Sequence, residues 1–282
     1  MTMLRLIWIY LLTISSCWAE VSLLNFNTMC DICKGSSLPK YSQRIKTFQS
    51  IIKKYNPDLL SLQEFRSKDH LRKTLRINKD YQYLIYQNFL VSYPDAAIVF
   101  KKSIFTLKDH GTLWIGPDPS IFNLGWKYAM PRILVWAKLQ IKSSGQTFIF
   151  MSTHLDNRIE NLDGSAILID KVSHQFTDPI LFAGDTNMTF EMKHYSILSQ
   201  NFFNAYKLLD KFETSVPYEN KTDLCYTKKG KSFPSCLVEH ILFSKSHQWK
   251  ISDYVIDLTK IKNSTKFPSD HRPIYIKFDL PD

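Results

Sequence analysis

The sequence predicts an α+β fold in which two β-sheets pack face to face and helices cover their outer surfaces. Apolar runs of strand length and amphipathic segments of helix length alternate irregularly along the chain. They do not follow the strict strand–helix–strand order that a wholly parallel sheet requires. The composition, 44% hydrophobic and 22% charged residues without low-complexity tracts or internal repeats, is typical of a globular domain.

The first part of the chain predicts a strand, a helix and a second strand before a longer β-rich segment. A strand at residues 21–28 precedes a helix at 43–55, which Asn56 and Pro57 end. The inward face of this helix carries Ile45, Phe48, Ile51 and Ile52. The next predicted elements are a strand at 59–62, a helix at 67–76 and strands at 81–86, 96–100 and 104–108.

A long loop then begins at Gly116 and Pro117 and returns to regular structure at Arg132. Strands at 133–141 and 147–153 follow it. A helix predicted at 164–176 turns Ile167, Leu168, Val172 and Phe176 inward. The remaining predicted elements are a strand from Ile180, a short helix near Tyr195 and strands at 237–244 and 275–278.

Four of the apolar runs border polar side chains that can bind metal ions or move protons. These side chains are Glu64, His154, Asp185, Asn187, Asp270 and His271. A single case is explained by a strand that ends and exposes the next residue, but four such cases are not expected by chance. Gly184 is predicted to permit the close turn that presents its polar neighbours together. Since ligands gather at the carboxyl ends of strands, we predict an active site there.

These motifs resemble the endonuclease/exonuclease/phosphatase superfamily, whose members are built like deoxyribonuclease I. The resemblance covers nearly the whole chain after residue 19. Its motifs are Asn25-Phe26-Asn27, Gln63-Glu64, Ser152-Thr153-His154-Leu155, Gly184-Asp185-Thr186-Asn187 and Ser269-Asp270-His271. The segment from Leu113 to Ala137 is similar to a bacterial subgroup of generic members. The resemblance implies a four-layer α/β/β/α sandwich and phosphoester hydrolysis, and it leaves the substrate open among DNA, RNA, sphingomyelin and inositol phosphates.

The resemblance also implies a metal ion. Glu64 would be the main metal ligand, helped by Asn27 and Asp270. This ligand set consists entirely of oxygen atoms, which suits Mg²⁺ or Mn²⁺. Such an ion neutralises charge that develops on a phosphate and helps to deprotonate water.

The same resemblance implies roles around the phosphate for the remaining residues. His271 would be the general base that activates water, and Asp185 with Asn187 would orient the water and the phosphate. His154 would bind the phosphate or protonate the leaving group. Arg132 would contact the phosphate through its planar guanidinium group.

Two supporting carboxylates depart from the family pattern. The family commonly has an Asp that orients the base histidine, and this chain has Glu239 at that place. The family commonly has a Glu that supports the first histidine, and this chain has Asp95. Each change keeps a carboxylate and alters its reach by one methylene group. The alternative for Glu239 and His240 is an exposed pair on an edge strand.

The N-terminus has the pattern of a secretory signal peptide. Arg5 precedes a nine-residue apolar core, and Ala19 stands at the expected cleavage site. Competing interpretations are a lipoprotein signal acylated at Cys17 and an uncleaved anchor, for which the apolar core is short. We predict a signal peptide at residues 1–19 and one catalytic domain at 20–282, secreted or periplasmic.

The cysteines are consistent with an oxidising compartment. Cys225 and Cys236 flank ten residues with Gly230 near the midpoint, which resembles a hairpin, and we pair them. Cys30 and Cys33 would then close a tight loop. The alternatives for this pair are a redox motif and a zinc site. A redox motif is expected at a helix start in a thioredoxin-like unit, which is not visible here, and a zinc site requires two matching knuckles, whereas Cys225 and Cys236 do not form one.

The basic charge of the chain is typical of proteins that bind polyanions, and an ordinary solvated surface is the alternative interpretation of each lysine cluster. Lys and Arg outnumber Asp and Glu by 36 to 26, and by 35 to 26 after residues 1–19 are removed. We predict nucleic acid as the substrate, cut without base-sequence preference, and an anionic lipid surface as a further partner. A sphingomyelinase-like or inositol-phosphate-directed enzyme and a non-catalytic binding module are the alternatives. No obligate protein partner is evident, and a monomer is expected.

Overall fold

The computed structural model describes residues 20–30, 38–88, 90–209, 213–218, 221–225 and 232–281. Four α-helices are present in this part of the chain: α1 (Tyr41–Tyr55), α2 (Lys68–Leu75), α3 (Ile159–Ser173) and α4 (Lys193–Asn201). The strands are β1 (Glu20–Asn27), β2 (Leu59–Gln63), β3 (Tyr81–Gln87), β4 (Ser92–Lys101), β5 (Phe105–Trp114), β6 (Ile133–Ile141), β7 (Thr147–His154), β8 (Ile180–Asp185), β9 (Phe202–Asn204), β10 (Glu213–Thr214), β11 (Glu239–Ser244), β12 (Lys250–Ile256) and β13 (Ile274–Asp279).

These strands form two mixed sheets. The seven-stranded sheet has the order β10-β12-β13-β1-β2-β4-β3, and the six-stranded sheet has the order β5-β6-β7-β8-β11-β9. The sheets lie face to face, with β4 packed across β6 and β7. Helices cover the outer surfaces, so the predicted four-layer α+β sandwich is confirmed.

Alternation along each strand divides its apolar side chains between layers. On β1, Val21 and Leu23 enter the cluster between the sheets, whereas Leu24 and Phe26 pack against α1. Phe26 meets Phe48 of α1 edge to face, with ring centroids 5.3 Å apart. Full burial of one such side chain stabilises the fold by about 1.5–3 kcal/mol. The same alternation on β7 separates the inter-sheet cluster from the one beneath α3.

Each sheet has a parallel strand pair at its centre, and the two pairs place the functional residues. In the first sheet α1 connects β1 to β2, and in the second sheet α3 connects β7 to β8. Antiparallel neighbours flank both pairs: β13 and β4 in the first sheet, β6 and β11 in the second. The carboxyl ends of the parallel strands therefore meet the amino ends of their neighbours at one edge of the sandwich.

Gly184 belongs to strand β8 rather than to a turn, which corrects our expectation. It lies opposite Thr153 of β7 in the parallel register. A Cβ atom added to Gly184 would lie 2.2 Å from the Thr153 carbonyl oxygen. The glycine is therefore required because the two backbones approach closely here.

Several element boundaries and burial predictions were wrong. Helix α3 begins at Ile159, before the predicted residue 164, because Asp156 accepts hydrogen bonds from the Arg158 backbone and the Asn161 side chain. Ile167 was predicted to point inward, but it lies outside the buried face of α3 and is 56% exposed. Strand β12 was not predicted at all.

Cys225 and Cys236 form a disulfide, as predicted, with Cα atoms 5.7 Å apart. The described residues beside them form a 3₁₀ helix (Lys221–Leu224) and a turn, and the predicted hairpin falls largely on residues 226–231, outside the described part. Cys30 is also disulfide-bonded, and its predicted partner Cys33 lies outside the described residues. The predicted signal peptide at 1–19 is likewise outside them. Within the described residues, no helix is long and apolar enough to cross a membrane.

Candidate active site

Two carboxylates from different sheets meet at the edge where the parallel strands end. Asn27, the last residue of β1, donates from Nδ2 to Glu64 Oε1 at 2.8 Å and to Asp185 Oδ2 at 2.9 Å. Its Oδ1 accepts the Met29 backbone N–H at 2.9 Å. One amide thus bridges Glu64 of the first sheet and Asp185 of the second. In this orientation Asn27 directs its nitrogen to the carboxylates. Because a metal ion binds the amide oxygen, Asn27 can act as a ligand only after its amide rotates.

Left-handed backbone conformations concentrate at these strand ends. Met29, Glu64 and Asn187 have φ values of 57°, 63° and 53°. Such conformations are uncommon for residues other than glycine and cluster at functional sites. The turn at Glu64 directs its Oε2 to the Cys30 backbone N–H at 2.9 Å. The turn at Asn187 directs its backbone N–H to Asp185 Oδ1 at 2.9 Å.

A buried imidazole–carboxylate pair lies beside Asp185. His271, which precedes β13, is hydrogen-bonded through Nδ1 to Glu239 Oε1. Its Nδ1 is 3.7 Å from Asp185 Oδ2, and its Nε2 is 3.9 Å from Asp270 Oδ1. Glu239 lies opposite Asp185 in the register between β11 and β8. Glu239 is 2% exposed and β11 is an internal strand, so the exposed-pair alternative is wrong.

Charges in this cluster shift the pKa values of its members. Burial opposes the charged form of His271, but the Glu239 and Asp185 carboxylates outweigh it and raise the pKa of His271 to about 10. Burial likewise opposes ionisation of Asp185. The neighbouring histidines and the hydrogen bonds from Asn187 and Asn27 outweigh that effect and lower the pKa of Asp185. The cluster therefore favours a carboxylate beside an imidazolium.

A second histidine is held by Asp95 and Arg132. His154 Nδ1 lies 3.2 Å from Asp95 Oδ1 and 2.6 Å from Arg132 Nη1. Arg132 Nη1 also donates to Asp95 Oδ2 at 2.8 Å. The other imidazole nitrogen, Nε2, faces the centre, 3.6 Å from Asp185 Oδ2 and 3.8 Å from Glu64 Oε1. Burial opposes the charge on Asp95, but Arg132 and His154 outweigh it and lower the pKa of Asp95 to about 2.

Three of these side chains can hold a cation. One ligand atom from each of Glu64, Asp185 and His271 lies within 4.8 Å of the others. This group shares Glu64 with the predicted ligand set of Asn27, Glu64 and Asp270. Two anionic carboxylates bridged by one amide form a hard, negatively charged donor set that fits Mg²⁺ or Mn²⁺.

The structure brings all the predicted site residues to this edge. Arg132 is mostly covered, with 11% of its side chain exposed, and among the described residues its Nε has no hydrogen-bond partner. Burial opposes its charge, but Asp95 raises the pKa of Arg132. Asn187 Nδ2 donates to the Leu155 carbonyl at 2.9 Å, which fastens the turn after β8 to the end of β7.

Sequence reasoning did not identify Ser269 as part of the site. Its Oγ donates to the Asn27 carbonyl at 2.7 Å and accepts the His271 backbone N–H at 3.2 Å. It thereby joins the end of β1 to the start of β13. The residue stands within a recognised motif, but no sequence pattern connects it to Asn27, 242 positions earlier.

The two-sheet sandwich with carboxylates and histidines at one edge is the fold of the phosphoesterases that are built like deoxyribonuclease I. The family model for the Endonuclease/Exonuclease/phosphatase family matches residues 24–271. The chain belongs to this family, whose members are phosphoesterase hydrolases that generally use divalent metals. No curated protein matches the chain significantly by sequence.

Solved structures share the fold at low sequence identity. An endonuclease/exonuclease/phosphatase from Bacteroides vulgatus is 22% identical with a TM-score of 0.77, covering 93% of this chain and 99% of that one. A Bacteroides thetaiotaomicron mannosyl-6-phosphatase is 18% identical with a TM-score of 0.77, covering 92% and 100%. D. rerio TDP2 complexed with a single-strand DNA product is 18% identical with a TM-score of 0.65, covering 93% and 100%.

Proposed function

We propose that this protein is an exported, divalent-metal-dependent phosphodiesterase that cuts nucleic acid without base-sequence preference. The observation that carries the hydrolytic part is the convergence of Glu64, Asp185 and His271 within 4.8 Å, backed by Glu239. This set combines a cation-binding pair of carboxylates with a titratable imidazole. Both contribute to phosphodiester hydrolysis, the first by neutralising charge on the phosphate and the second by moving a proton.

Glu64, with Asp185 and Asp270, would hold the cation, and Asn27 would join them on rotation of its amide. When bound, the cation neutralises phosphate charge and, by its own charge, opposes protonation of His271. The carboxylates therefore have two uses at this site. They would hold the cation, and they raise the pKa of His271.

The roles of the histidines follow from which nitrogen atoms are already engaged. Glu239 binds His271 Nδ1, so Nε2 is the atom that accepts a proton from water. Asp95 and Arg132 engage His154 Nδ1, so His154 Nε2 is the atom directed at the phosphate or the leaving oxygen. Asp185 would orient the attacking water, since its Oδ2 lies between the two histidines, 3.7 Å from His271 Nδ1 and 3.6 Å from His154 Nε2.

Nucleic acid is the proposed substrate because the protein is basic. The excess of 36 basic over 26 acidic side chains favours binding to polyanions. A protein of the same fold, D. rerio TDP2, binds a single-strand DNA product. We propose export and a periplasmic or extracellular site of action on the signal-peptide pattern at residues 1–19 and the disulfide at Cys225 and Cys236.

A lipid-directed phosphodiesterase is the second candidate, and one surface favours it. We define the apolar rim as seven side chains, each more than half exposed: Leu90, Val91, Ile121, Phe122, Tyr128, Met130 and Ile159. They are seven of the thirteen exposed large hydrophobic residues in the described part of the chain. They lie at the tip of the β3–β4 hairpin, in the loop between β5 and β6 and at the start of α3. Exposed apolar patches of this kind mark interaction surfaces.

The apolar rim adjoins the active site. Trp114 contacts Tyr86 of β3, Tyr93 of β4 and Phe122 of the loop, so the tip of the β3–β4 hairpin lies beside that loop. The Tyr93 hydroxyl donates to the Pro131 carbonyl at 2.7 Å, next to Arg132. Five of the seven rim residues are not aromatic, a composition that suits acyl chains better than stacked bases.

The test is a parallel assay of the purified protein with Mg²⁺ or Mn²⁺ on four substrates. These are plasmid DNA, single-stranded RNA, sphingomyelin vesicles and mannose 6-phosphate. We expect nicking of plasmid and RNA, and no turnover in excess chelator because the proposed site consists of metal-binding carboxylates. Full turnover in excess chelator would contradict the metal mechanism. Release of phosphocholine from vesicles without DNA cutting would select the lipid-directed candidate, and Phe122→Ala with Met130→Ala should then weaken vesicle binding.

A further inference from the structure

A fully buried arginine lies directly behind the active site. Arg44 is in the first turn of α1 and is 1% exposed. Its Nε donates to the Pro39 carbonyl at 2.7 Å. Its Nη1 donates to the Thr28 and Pro268 carbonyls at 2.5 and 2.8 Å, and its Nη2 donates to the Met29 carbonyl at 2.8 Å. One guanidinium group therefore binds four backbone carbonyls in three segments of the chain.

Two of those segments are adjacent in the chain to predicted active-site residues. Thr28 and Met29 directly follow Asn27, and the Met29 N–H holds the Asn27 Oδ1 at 2.9 Å. Pro268 precedes the Ser269-Asp270-His271 motif. Ser269 closes the connection between the segments, since its Oγ donates to the Asn27 carbonyl at 2.7 Å.

We infer that Arg44 is a positioning residue for catalysis, which fixes the segment after β1 against the segment before β13. The inference rests on the proposed hydrolytic function. By holding Thr28, Met29 and Pro268, it sets the distance between Asn27 and His271. A displacement of about 1 Å at such a site can cost about 10²-fold in rate.

The geometry requires arginine and not simply a positive charge. A guanidinium group has five N–H donors in a rigid planar fork, whereas a lysine ammonium has three donors around one atom. A lysine at position 44 cannot reach carbonyls on both sides of that fork. The Arg44 side chain also packs on Phe48, with its guanidinium carbon 5.3 Å from the ring centroid, so its removal also disturbs α1 packing.

Lys101 provides a matched control because it is a buried cation at the opposite end of the first sheet. Its Nζ donates to the Asn56 carbonyl at 2.7 Å and to Asp58 Oδ1 at 2.9 Å. Asp58 in turn accepts hydrogen bonds from Ser22 near the start of β1. Lys101→Met therefore removes a buried charge without touching the segments that carry the site.

The experiment compares Arg44→Lys, Arg44→Met and Lys101→Met with the wild type on bis(p-nitrophenyl) phosphate and Mn²⁺, with kcat corrected for the folded fraction. We expect kcat to fall about 10-fold in Arg44→Lys and about 10²-fold in Arg44→Met, with KM within about threefold of wild type. Lys101→Met should keep the wild-type kcat even where its melting temperature is lower. Arg44→Lys keeps the positive charge, so it tests the positioning role even if Arg44→Met does not fold.

Amide hydrogen exchange provides a readout that does not depend on turnover. Peptides covering residues 27–30 and 267–271 should exchange faster in the Arg44 variants and remain unchanged in Lys101→Met. Wild-type kcat and wild-type exchange in Arg44→Lys would overturn the inference. A wild-type protein that hydrolyses no phosphoester would refute the proposed function instead, and the exchange data would still decide whether Arg44 holds these segments.

Discussion

At the scale of single residues, His271 and Asp185 are expected to be the most sensitive positions for activity. His271→Ala and Asp185→Ala should each lower kcat by about 10²–10⁴-fold, because a positioned base contributes roughly that factor and Asp185 orients the water in the same step. Turnover of the best substrate with Mg²⁺, measured beside the melting temperature, checks this. His174→Ala, a histidine with 62% of its side chain exposed, is the control and should keep full activity. Either active-site variant within a few-fold of wild type would refute the assignment.

Asp95 should make the stability of the protein depend on pH in the acid range. Its pKa is about 2 in the folded chain and 3.8 ordinarily, because Arg132 and His154 favour the carboxylate. Because its pKa is lower in the folded chain, ionised Asp95 adds about 2 kcal/mol to the free energy of unfolding. This contribution is complete above pH 3.8 and is lost as the pH falls from 3.8 to 2. Asp95→Asn should therefore be less stable than wild type at pH 7, and the difference should shrink towards pH 2.

Urea unfolding at a series of pH values measures that difference. Asp253→Asn is the control, since 43% of the Asp253 side chain is exposed and its ion pair with Lys277 is screened by water. Its unfolding free energy should follow that of the wild type at every pH. A constant difference between Asp95→Asn and wild type from pH 7 to pH 2 would show that Asp95 does not titrate as proposed.

At the scale of secondary-structure elements, the close approach of β7 and β8 determines where His154 and Asp185 lie. Gly184→Ala should destabilise the protein by about 1–3 kcal/mol, since the added methyl group meets the Thr153 carbonyl and the backbones must separate. It should also lower kcat, because the strands end at those two side chains. Denaturation and turnover are the measurements, and Ser144→Ala in the exposed turn after β6 is the control. Unchanged stability in Gly184→Ala would contradict the close packing.

The elements that could be predicted are those whose local pattern determines them. Helix α1 and strands β1, β2, β6 and β7 follow from their local apolar patterns, and the polar residues at the carboxyl ends of β1, β2 and β7 marked the site. Strand β12 escaped prediction because two consecutive polar residues, Ser252 and Asp253, break its apolar alternation at a register shift in its pairing with β13. Its position depends on pairing with β13, a tertiary contact that local periodicity does not reveal.

The site was less predictable where its contacts cross between distant segments. The motifs placed Glu64, Asp185 and His271, because each stands beside an apolar run. Arg44 looked like one more basic residue on an amphipathic helix, yet it binds carbonyls up to 224 positions away. The orientation of the Asn27 amide likewise depends on carboxylates from two sheets.

At the scale of the whole molecule, the basic charge and the apolar rim favour different substrates for one hydrolytic centre. Net charge acts over distances up to the Debye length, about 8 Å at physiological ionic strength, and salt weakens it. Contact with the apolar rim acts only at touching distance and is not weakened by salt. Salt dependence therefore separates the two modes of binding.

We expect the apparent affinity for DNA to fall steeply as salt rises, because phosphate contacts release counterions from the DNA on binding. For about six such contacts the affinity should fall by about 10³-fold between 50 and 200 mM salt. Plasmid nicking across a salt series measures this, with bis(p-nitrophenyl) phosphate as the control because a substrate with one charge should show a shallow dependence. Random plasmids of different sequence should be nicked equally. Nicking that does not change with salt would contradict binding through phosphate contacts. Vesicle binding that persists at salt concentrations where DNA binding is lost would favour a lipid substrate, which the apolar rim can contact.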